Sequence, residues 1–557
     1  MRPLFILLCN ALFTAAACAP RASTGGAPDL PRTRAERSNF TETSTHADVI
    51  AFLDTLGRRF RVGRGTVGRT SEGRDIPYII ASRPLYATPE AAHASRRPIV
   101  YVQGNIHAGE VEGKEALQAL LRDLLASPAK NVLDSIVLIA VPIYNGDGNE
   151  KFDVQARNRG AQNGPEMVGQ RPNAQGLDLN RDYMKAMAPE TQGSLATLTR
   201  WDPHVLVDLH TTNGSYHGYH LTWAPSLNPA AELAGATFGG AYARDTLLPE
   251  IQRRVKARHD VNIFPYGNFA GDAGPGGVPR AWQTYDHRPR FGTNYYALRG
   301  RISILSEAYS HDPFATRVRA TYAFVRELLS AVAERGNDIR ALTARSDAAV
   351  TAWGGATPAR VPVRAQLTTT PFQGDVIYEE LERTTDTTRR EPGVRPGMRR
   401  TGRFVTRRMP IHDRFTPTRV ATAPWGYAIP ASDTAVLAVL RHHGVTMYTT
   451  RREWTGSAGP QFSVDSTIIA ASPFQGRREV RLEGRWTTTP LTTLAAGTVI
   501  VPVGQPLGVL VVYLLEPESD DGVVNWDIGD KAATRPRDLV ITRLAMDPSV
   551  PMDRVRR

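Results

Sequence analysis

Cysteine is almost absent from this sequence. Only Cys9 and Cys18 occur among 557 residues, and both lie within or at the edge of an apolar N-terminal segment. The mature chain is therefore expected to contain no disulfide and no thiolate metal site. Its domains must be stabilised by core packing, and any catalytic metal must be bound by histidine and carboxylate side chains.

Long apolar runs are missing after the N-terminus, which predicts no membrane span in the mature chain.

Lysine is scarce, so arginine carries almost all of the net charge of +12. A dense basic run could bind nucleic acid, anionic lipid or an acidic polymer. Because it lacks interleaved aromatic residues and any nucleic-acid motif, we expect no nucleic-acid partner and interpret it as a solvated loop. The run consists of Arg389, Arg390, Arg395, Arg399, Arg400, Arg403, Arg407 and Arg408.

Residues 1–23 have the pattern of an export signal. Arg2 is followed by the apolar stretch Leu4–Leu8 and by an alanine-rich exit that ends at Cys18. The small residues before Cys18 also permit lipid attachment to that cysteine, as in bacterial lipoproteins, and plain cleavage beside it is the alternative. We expect an exported protein that is periplasmic, extracellular or lipid-anchored at the cell envelope.

The remaining sequence changes character near residue 340. From 45 to 340, strand-like and helix-like segments alternate, which predicts an α/β domain with a mixed, largely parallel sheet. The polar, aperiodic residues 24–44 suit a tether. The predicted strands are 98–102, 136–141, 204–207 and 302–305, and the leucine spacing over 117–125 predicts a helix.

Residues 341–557 are rich in Thr, Val, Pro and Gly and contain short β-like runs. Examples are Gly497–Val501 and Val509–Tyr513. We predict a β-rich C-terminal accessory region of one or two domains, with the arginine-rich run as an exposed loop or linker.

Polar groups follow several of the predicted strands, at the edge where open α/β sheets bind ligands. His107 and Glu110 are three residues apart, so a turn can direct both side chains to one point, and His210 follows a distant strand. Two imidazoles and one carboxylate, with an open fourth position, form a catalytic zinc set. We therefore predict one Zn²⁺ per chain at these three residues.

Glu307 directly follows another apolar strand. An unpaired carboxylate is costly to bury, so it should have a partner or a task. The task that fits is general base for the attacking water, followed by proton donation to the leaving amine.

The order and spacing of these residues resemble the zinc carboxypeptidases. Further matches are Gly176–Arg181, Gly68–Arg74 upstream and the turn Asn145–Gly148. The resemblance covers residues from about 45 to 335 and implies a metallocarboxypeptidase (zinc-peptidase) domain. Leu514–Ser519 is similar to part of the extra C-terminal region of some large bacterial members.

The resemblance also implies roles for single residues. Asn180 and Arg181 match the pair that holds the substrate's terminal carboxylate, a task that suits the bidentate guanidinium group. Arg157 is similar in placement to the arginine that stabilises the tetrahedral oxyanion, with Arg159 as its competitor. The next residue after Arg181 is Asp182, where classical members usually carry Asn, and this carboxylate could occupy Arg181.

The family's substrate-covering tyrosine has three candidate counterparts, which are Tyr285, Tyr295 and Tyr296. His217 and His220 lie close after the ligand His210, but their surroundings favour a pocket wall or loop over a metal ligand.

Together these features predict a zinc-dependent metallocarboxypeptidase that acts on a peptide or peptide-like substrate. A zinc-dependent amidase or deacylase of wall peptides or acylated amino acids is the first alternative, since only the pocket would differ. A non-catalytic zinc-containing binding protein is the second, and the open zinc position together with Glu307 argues against it.

Export can be tested by fusing residues 1–25 to a reporter. The fusion should leave the cytoplasm, because the segment combines a positive start, an apolar core and a small-residue exit. If Cys18 is lipidated, Cys18→Ala should release the full-length protein from the membrane fraction. A cytoplasmic reporter would contradict export, whereas a soluble exported wild-type protein would contradict only lipidation.

Overall fold

The structure, a computed structural model, describes residues 30–233, 239–270, 279–353, 359–369, 372–385, 397–456, 459–487, 491–530 and 541–555. The predicted export signal and Cys18 lie outside these residues. None of the helices in these ranges combines the length and apolar character that a membrane crossing requires.

The described strands, in chain order, are β1 (Gly63–Arg69), β2 (Asp75–Ala81), β3 (Ile99–Gly104), β4 (Val137–Val141), β5 (Asp153–Val154), β6 (Met167–Val168), β7 (Val205–Thr211), β8 (Leu221–Pro225), β9 (Ile263–Pro265), β10 (Asn268–Ala270), β11 (Ala281–Gln283), β12 (Ile302–Ala308), β13 (Arg360–Leu367), β14 (Gln373–Arg383), β15 (Met398–His412), β16 (Phe415–Thr422), β17 (Gly426–Ile429), β18 (Tyr448–Thr450), β19 (Trp454–Gly456), β20 (Gln461–Ile469), β21 (Val480–Thr487), β22 (Thr492–Leu494), β23 (Val499–Pro502), β24 (Thr542–Leu544) and β25 (Met552–Arg554).

The described α-helices are α1 (Arg34–Arg37), α2 (His46–Arg59), α3 (Pro89–Ala94), α4 (Glu112–Ala126), α5 (Gly146–Glu150), α6 (Gln155–Asn158), α7 (Pro189–Trp201), α8 (Gly239–Tyr242), α9 (Leu248–His259), α10 (Gly292–Ala297), α11 (Phe314–Glu334), α12 (Gly336–Thr351), α13 (Thr434–His442) and α14 (Gly508–Leu515). Short 3-10 turns occupy Val132–Asp134, Leu179–Arg181 and Pro229–Glu232, and a π-helical turn occupies Ala243–Leu247.

Among the described residues, eight strands form the central sheet in the order β1-β2-β4-β3-β7-β12-β8-β9. Strands β4, β3, β7 and β12 are mutually parallel, whereas β2 pairs antiparallel with β4 and β8 antiparallel with β12. Every residue of the four parallel strands is buried, because helices cover both faces. This burial explains their continuous apolar sequence and confirms the predicted mixed α/β sheet.

The two parts of the chain share one hydrophobic core. One sheet face packs against α2, α4, α9 and α11. The core on the other face joins side chains of α7 and α10 to side chains of α13 and α14 from the C-terminal region. The predicted boundary at residue 340 falls inside α12, so the chain does not divide there.

The C-terminal region is β-rich as predicted, but one predicted strand is wrong. Residues Val509–Tyr513 lie in helix α14, whose eight residues are all buried. A segment that is apolar on every side shows no helical period, so its pattern cannot be distinguished from that of a buried strand.

The arginine-rich run is a strand over its described part, which corrects its interpretation as a loop or linker. Residues 398–412 form β15, which pairs with β14 and also, in parallel, with β11 of the N-terminal part. Arg399, Arg400 and Arg403 pair with glutamates of β14, so much of their charge is compensated. Arg389, Arg390 and Arg395 lie outside the described residues.

Residues 30–44 of the predicted tether are folded against α4. The buried carboxylate of Glu115 accepts hydrogen bonds from the hydroxyl groups of Thr43 and Ser44 and from the backbone N–H of Ser44. The polar composition of this segment therefore reflects pairing with a buried charge, and it does not act as a free tether.

Candidate metal centre

A closed turn after β3 brings His107 and Glu110 together. Asn105 begins the turn at a φ of 67°, a left-handed conformation that asparagine adopts more readily than most residues. Its Nδ2 donates to the carbonyl oxygen of Ala108 at 3.0 Å, and the Glu110 N–H donates to the carbonyl oxygen of His107 at 2.9 Å. Both side chains thereby face one point.

His210 and Glu307 come from neighbouring parallel strands, because position 210 of β7 pairs with position 307 of β12. The ligand atoms of His107, Glu110 and His210 all lie within 4.8 Å of one another, and all three residues are buried. Nδ1 of His210 is 3.1 Å from Nδ1 of His107 and 2.9 Å from Oε2 of Glu110. The structure thus brings the three predicted ligands together.

Each imidazole has a carboxylate at its outer nitrogen. Nε2 of His107 lies 3.0 Å from Oδ1 of Asp178, and Nε2 of His210 lies 3.0 Å from Oδ2 of Asp208. A proton on each Nε2 leaves both Nδ1 atoms available to a metal, and such carboxylate–histidine pairs orient the ligands of zinc sites. The donor set therefore fits one zinc ion.

Asp178 is ionised although it is buried. Burial alone would raise its pKa, but His107, Arg171 and Arg181 together hold the pKa of Asp178 well below its usual range. The charged carboxylate can therefore hold the His107 ring in place.

A cavity of about 100 Å³ lies beside the three ligands. Glu307 lines it and is only 8% exposed, and its Oε2 has no hydrogen-bond partner within the described ranges. Burial raises the pKa of Glu307 to about 8. Such a carboxyl group can both accept and return a proton near neutral pH, and a bound cation nearby would lower this pKa.

Arg181 and Asn180 also line the cavity, and the 3-10 turn after Asp178 carries both. The Arg181 guanidinium lies 3.8 Å from the centre of the Phe291 ring. Its Nη1 donates to the Asn180 carbonyl oxygen at 2.8 Å, whereas the nearest Asp178 oxygen is 4.0 Å away. Burial lowers the pKa of Arg181.

Asp182 does not compete for Arg181. Its buried carboxylate pairs with Lys185 and accepts hydrogen bonds from the backbone N–H groups of Met187 and Ala188, at 3.2 and 2.8 Å. The departure from the family pattern at this position therefore leaves Arg181 available.

The structure does not bring Arg157 to the site. Its side chain is 75% exposed and pairs with Asp153 at 3.1 Å. Its competitor Arg159 lies 3.0 Å from Oε1 of Glu110 and packs over Gly109, where a Cβ would approach within 2.6 Å of the Arg159 Cγ. Neither arginine lines the cavity.

Arg171 is the cavity-lining arginine that sequence reasoning missed. Its Nε donates to Oδ2 of Asp178 at 2.9 Å, and its Nη1 lies 3.5 Å from Oε1 of Glu110. The sequence signal that could have identified Arg171 is its position shortly before the Gly176–Arg181 motif. A residue close to that motif in sequence lies at the same edge of the sheet.

Of the three candidate tyrosines, Tyr285 lines the cavity. The Tyr295 hydroxyl lies 2.9 Å from Nδ1 of His443, and the Tyr296 hydroxyl donates to the Pro203 carbonyl oxygen at 2.6 Å. These two are packed core tyrosines. Tyr266 also lines the cavity, and nothing in the sequence pattern singled it out.

The two histidines after the ligand His210 lie elsewhere. His217 is buried, with its ring 4.4 Å from that of Tyr309, and Nδ1 of His220 lies 2.7 Å from Oδ2 of Asp312. Within the described residues, the only His/Cys/Asp/Glu group able to hold a metal is the one built on His107, Glu110 and His210.

Comparison with known proteins agrees with this centre. The zinc carboxypeptidase family profile matches residues 49–208, which include His107 and Glu110. This segment is therefore similar to a zinc carboxypeptidase domain. His210 and Glu307 lie beyond the matched segment and complete the domain's site in space.

Curated relatives match this chain over a short length. "Probable carboxypeptidase 2" of Trichophyton verrucosum is 29% identical over 144 residues, which is 26% of this chain and 24% of that protein. "Carboxypeptidase Z" of Mus musculus is 34% identical over 125 residues, or 21% of this chain and 17% of that protein. The chain thus spans about a quarter or less of the length of these relatives.

Two solved structures align with about half of the chain. A metallo-carboxypeptidase from Burkholderia cenocepacia has a TM-score of 0.38 and 17% identity, and covers 52% of this chain and 70% of its own. Carboxypeptidase A from Helicoverpa armigera has a TM-score of 0.39 and 16% identity, and covers 55% and 77%. TM-scores below 0.5 assign no role to any single residue of this chain.

The purified protein should contain about one zinc per chain, because three ligands and one water complete a tetrahedron. His107→Ala and His210→Ala should each lose most of this zinc in inductively coupled plasma mass spectrometry. Glu307→Gln is the matched control, since it alters a buried residue of the same site that is not a predicted ligand. Full zinc in both histidine variants would contradict the assignment, and zinc loss in Glu307→Gln would make Glu307 a ligand.

Proposed function

We propose that this protein is a zinc-dependent metallocarboxypeptidase that hydrolyses the C-terminal bond of peptides or peptide-like substrates. The observation that carries the proposal is the guanidinium of Arg181, which lines the cavity with the metal ligands and Glu307 and lies 4.0 Å from the nearest oxygen of Asp178. A free carboxylate pairs with a guanidinium through two parallel hydrogen bonds. A substrate held there by its C-terminus presents its last amide bond to the metal ligands.

The metal ligands, Glu307 and Arg171 each have a chemical task in this proposal. A zinc ion bound by His107, Glu110 and His210 would polarise the scissile carbonyl and lower the pKa of water. Glu307 accepts a proton from the attacking water and returns it to the leaving amine. Arg171 donates to the carbonyl oxygen as negative charge develops on it.

Substrate binding falls to residues on the other side of the cavity. Asn180 and Arg181 hold the terminal carboxylate, and Arg181 is oriented by its contact with Phe291. Tyr285 lines the cavity and takes the task of covering the substrate in this proposal. Arg171 takes the oxyanion role that the sequence pattern assigned to Arg157.

An amidase or deacylase would use the same metal ligands and the same Glu307. It would have no use for an arginine that lines the cavity and lies 4.0 Å from the nearest oxygen of Asp178, which favours the exopeptidase. A non-catalytic binding protein leaves the buried Glu307 carboxylate without a task.

We also propose that the protein is exported, on the basis of the signal pattern at residues 1–23. The lipid anchor at Cys18 and the choice among periplasm, cell envelope and medium belong to this proposal.

The assignment of the oxyanion role can be tested with paired variants. Arg171→Ala should lower kcat on a free-acid peptide by about a hundredfold, the lower end of the effect of removing an oxyanion donor. Arg157→Ala should leave kcat within about twofold, because an exposed ion pair on a surface helix contributes little. Both variants should retain zinc. A larger loss in Arg157→Ala than in Arg171→Ala would restore the role to Arg157.

The exopeptidase proposal predicts a preference for free C-termini. Amidation of the substrate removes the charge and one acceptor oxygen, which should lower kcat/KM by about a hundredfold. Arg181→Ala should lower activity on the free acid and narrow this gap, because the discriminating group is gone. Asp182→Asn is the control, since its carboxylate faces Lys185 and not the cavity. Equal wild-type rates on both peptides would refute the exopeptidase and favour the amidase.

A further inference from the structure

The motif Leu514–Ser519 lies within a segment that contacts a loop of the cavity wall. We call residues 513–527 the C-terminal clamp and residues 284–293 the covering loop. Oδ2 of Asp520 lies 3.0 Å from Nε2 of His287. Asp521 accepts hydrogen bonds from the backbone N–H of Arg290 and, at 2.9 Å, from its Nε. Two consecutive acidic residues of the clamp thus hold two residues of the loop.

Arg290 is the centre of this contact and is only 1% exposed. Its guanidinium carbon lies 4.4 Å from the centre of a Trp526 ring, and the Trp526 indole N–H donates to Oδ1 of Asp521 at 2.7 Å. Glu479 also pairs with its Nη2. A buried guanidinium with this set of partners fixes the loop backbone more firmly than exposed contacts would.

The other side of the covering loop faces the substrate cavity. Tyr285, Phe291 and Thr293 line the cavity. Phe291, the residue after Arg290, carries the ring on which Arg181 lies.

The loop also reaches the second carboxylate-binding residue. The Gly292 N–H donates to Oδ1 of Asn180 at 2.8 Å. Residues 290–292 therefore connect the clamp to both members of the pair that binds the terminal carboxylate.

We propose that Asp521, acting through Arg290, is a positioning residue for substrate recognition. The ion pair holds the covering loop where Phe291 and Gly292 orient Arg181 and Asn180 towards the substrate carboxylate. The inference rests on the proposed function for the nature of its substrate. It gives the C-terminal region a task, which is to complete the specificity wall of the site.

The test compares Asp521→Asn with Glu516→Gln, both in the full-length, zinc-loaded Glu307→Gln protein, so that binding is measured without turnover. Glu516 is a matched control because it lies in the same clamp and is only 1% exposed. Its carboxylate contacts Tyr427 and Arg543 and not the covering loop. Calorimetry should show that Asp521→Asn weakens binding of a free-acid peptide by about tenfold or more, since small displacements of binding groups have large effects. Glu516→Gln should stay within about twofold of the parent.

Amide hydrogen exchange supplies a readout that does not depend on substrate. Residues 284–293 should exchange faster in Asp521→Asn and at the parental rate in Glu516→Gln. If Asp521→Asn does not fold, Trp526→Phe removes the indole N–H donor to Asp521 and shrinks the ring beside Arg290, and it should produce the same two changes.

Unchanged affinity and unchanged loop exchange in a folded variant would overturn the inference, as would equal effects from Glu516→Gln. If the parent protein itself does not prefer the free acid to its amide, the proposed function fails. The exchange experiment then still decides whether Asp521 orders the loop.

Discussion

The carboxylate of Asp178 contacts the metal-ligand residue His107 through one oxygen and Arg171 through the other. Oδ1 holds the outer nitrogen of His107, and Oδ2 receives the Arg171 guanidinium. Oδ1 also caps the turn that carries Asn180 and Arg181, at 2.9 Å from the Asn180 N–H. Because Asp178 is buried and ionised, any displacement of this one group would alter the positions of His107, Arg171 and Asn180 together.

The C-terminal region also contacts Asp178 and the covering loop. Its residue Gln475 accepts a hydrogen bond from the Asp178 backbone N–H at 2.7 Å. Asp521 holds the covering loop from the opposite direction, and α13 and α14 share the core of the catalytic part. Residues 49–208 and the C-terminal region thus share a hydrophobic core, and contacts far from the metal ligands support the wall of the cavity.

The central strands, the metal ligands and Glu307 could be predicted because each leaves a local signal in the sequence. Such signals are a buried apolar run, a His-x-x-Glu spacing or a polar residue at a strand end. The sequence could not predict that Arg171 lines the cavity and Arg157 does not, since this depends on the path of an intervening segment. Helix α14 looked like a strand because it is apolar on all sides, and the pairing of Asp521 with Arg290 joins residues remote in sequence, with no local signal for it.

In the proposed function, water attacks the last peptide bond of a substrate held by its free C-terminus. This reaction can be followed by hydrolysis of a free-acid peptide in water enriched in oxygen-18 and mass spectrometry of the products. The expected result is loss of the single C-terminal residue, with one oxygen-18 atom in the new C-terminus of the shortened peptide and none gained by the released amino acid. Cleavage at an internal bond, or release of acyl groups with an intact C-terminus, would contradict it.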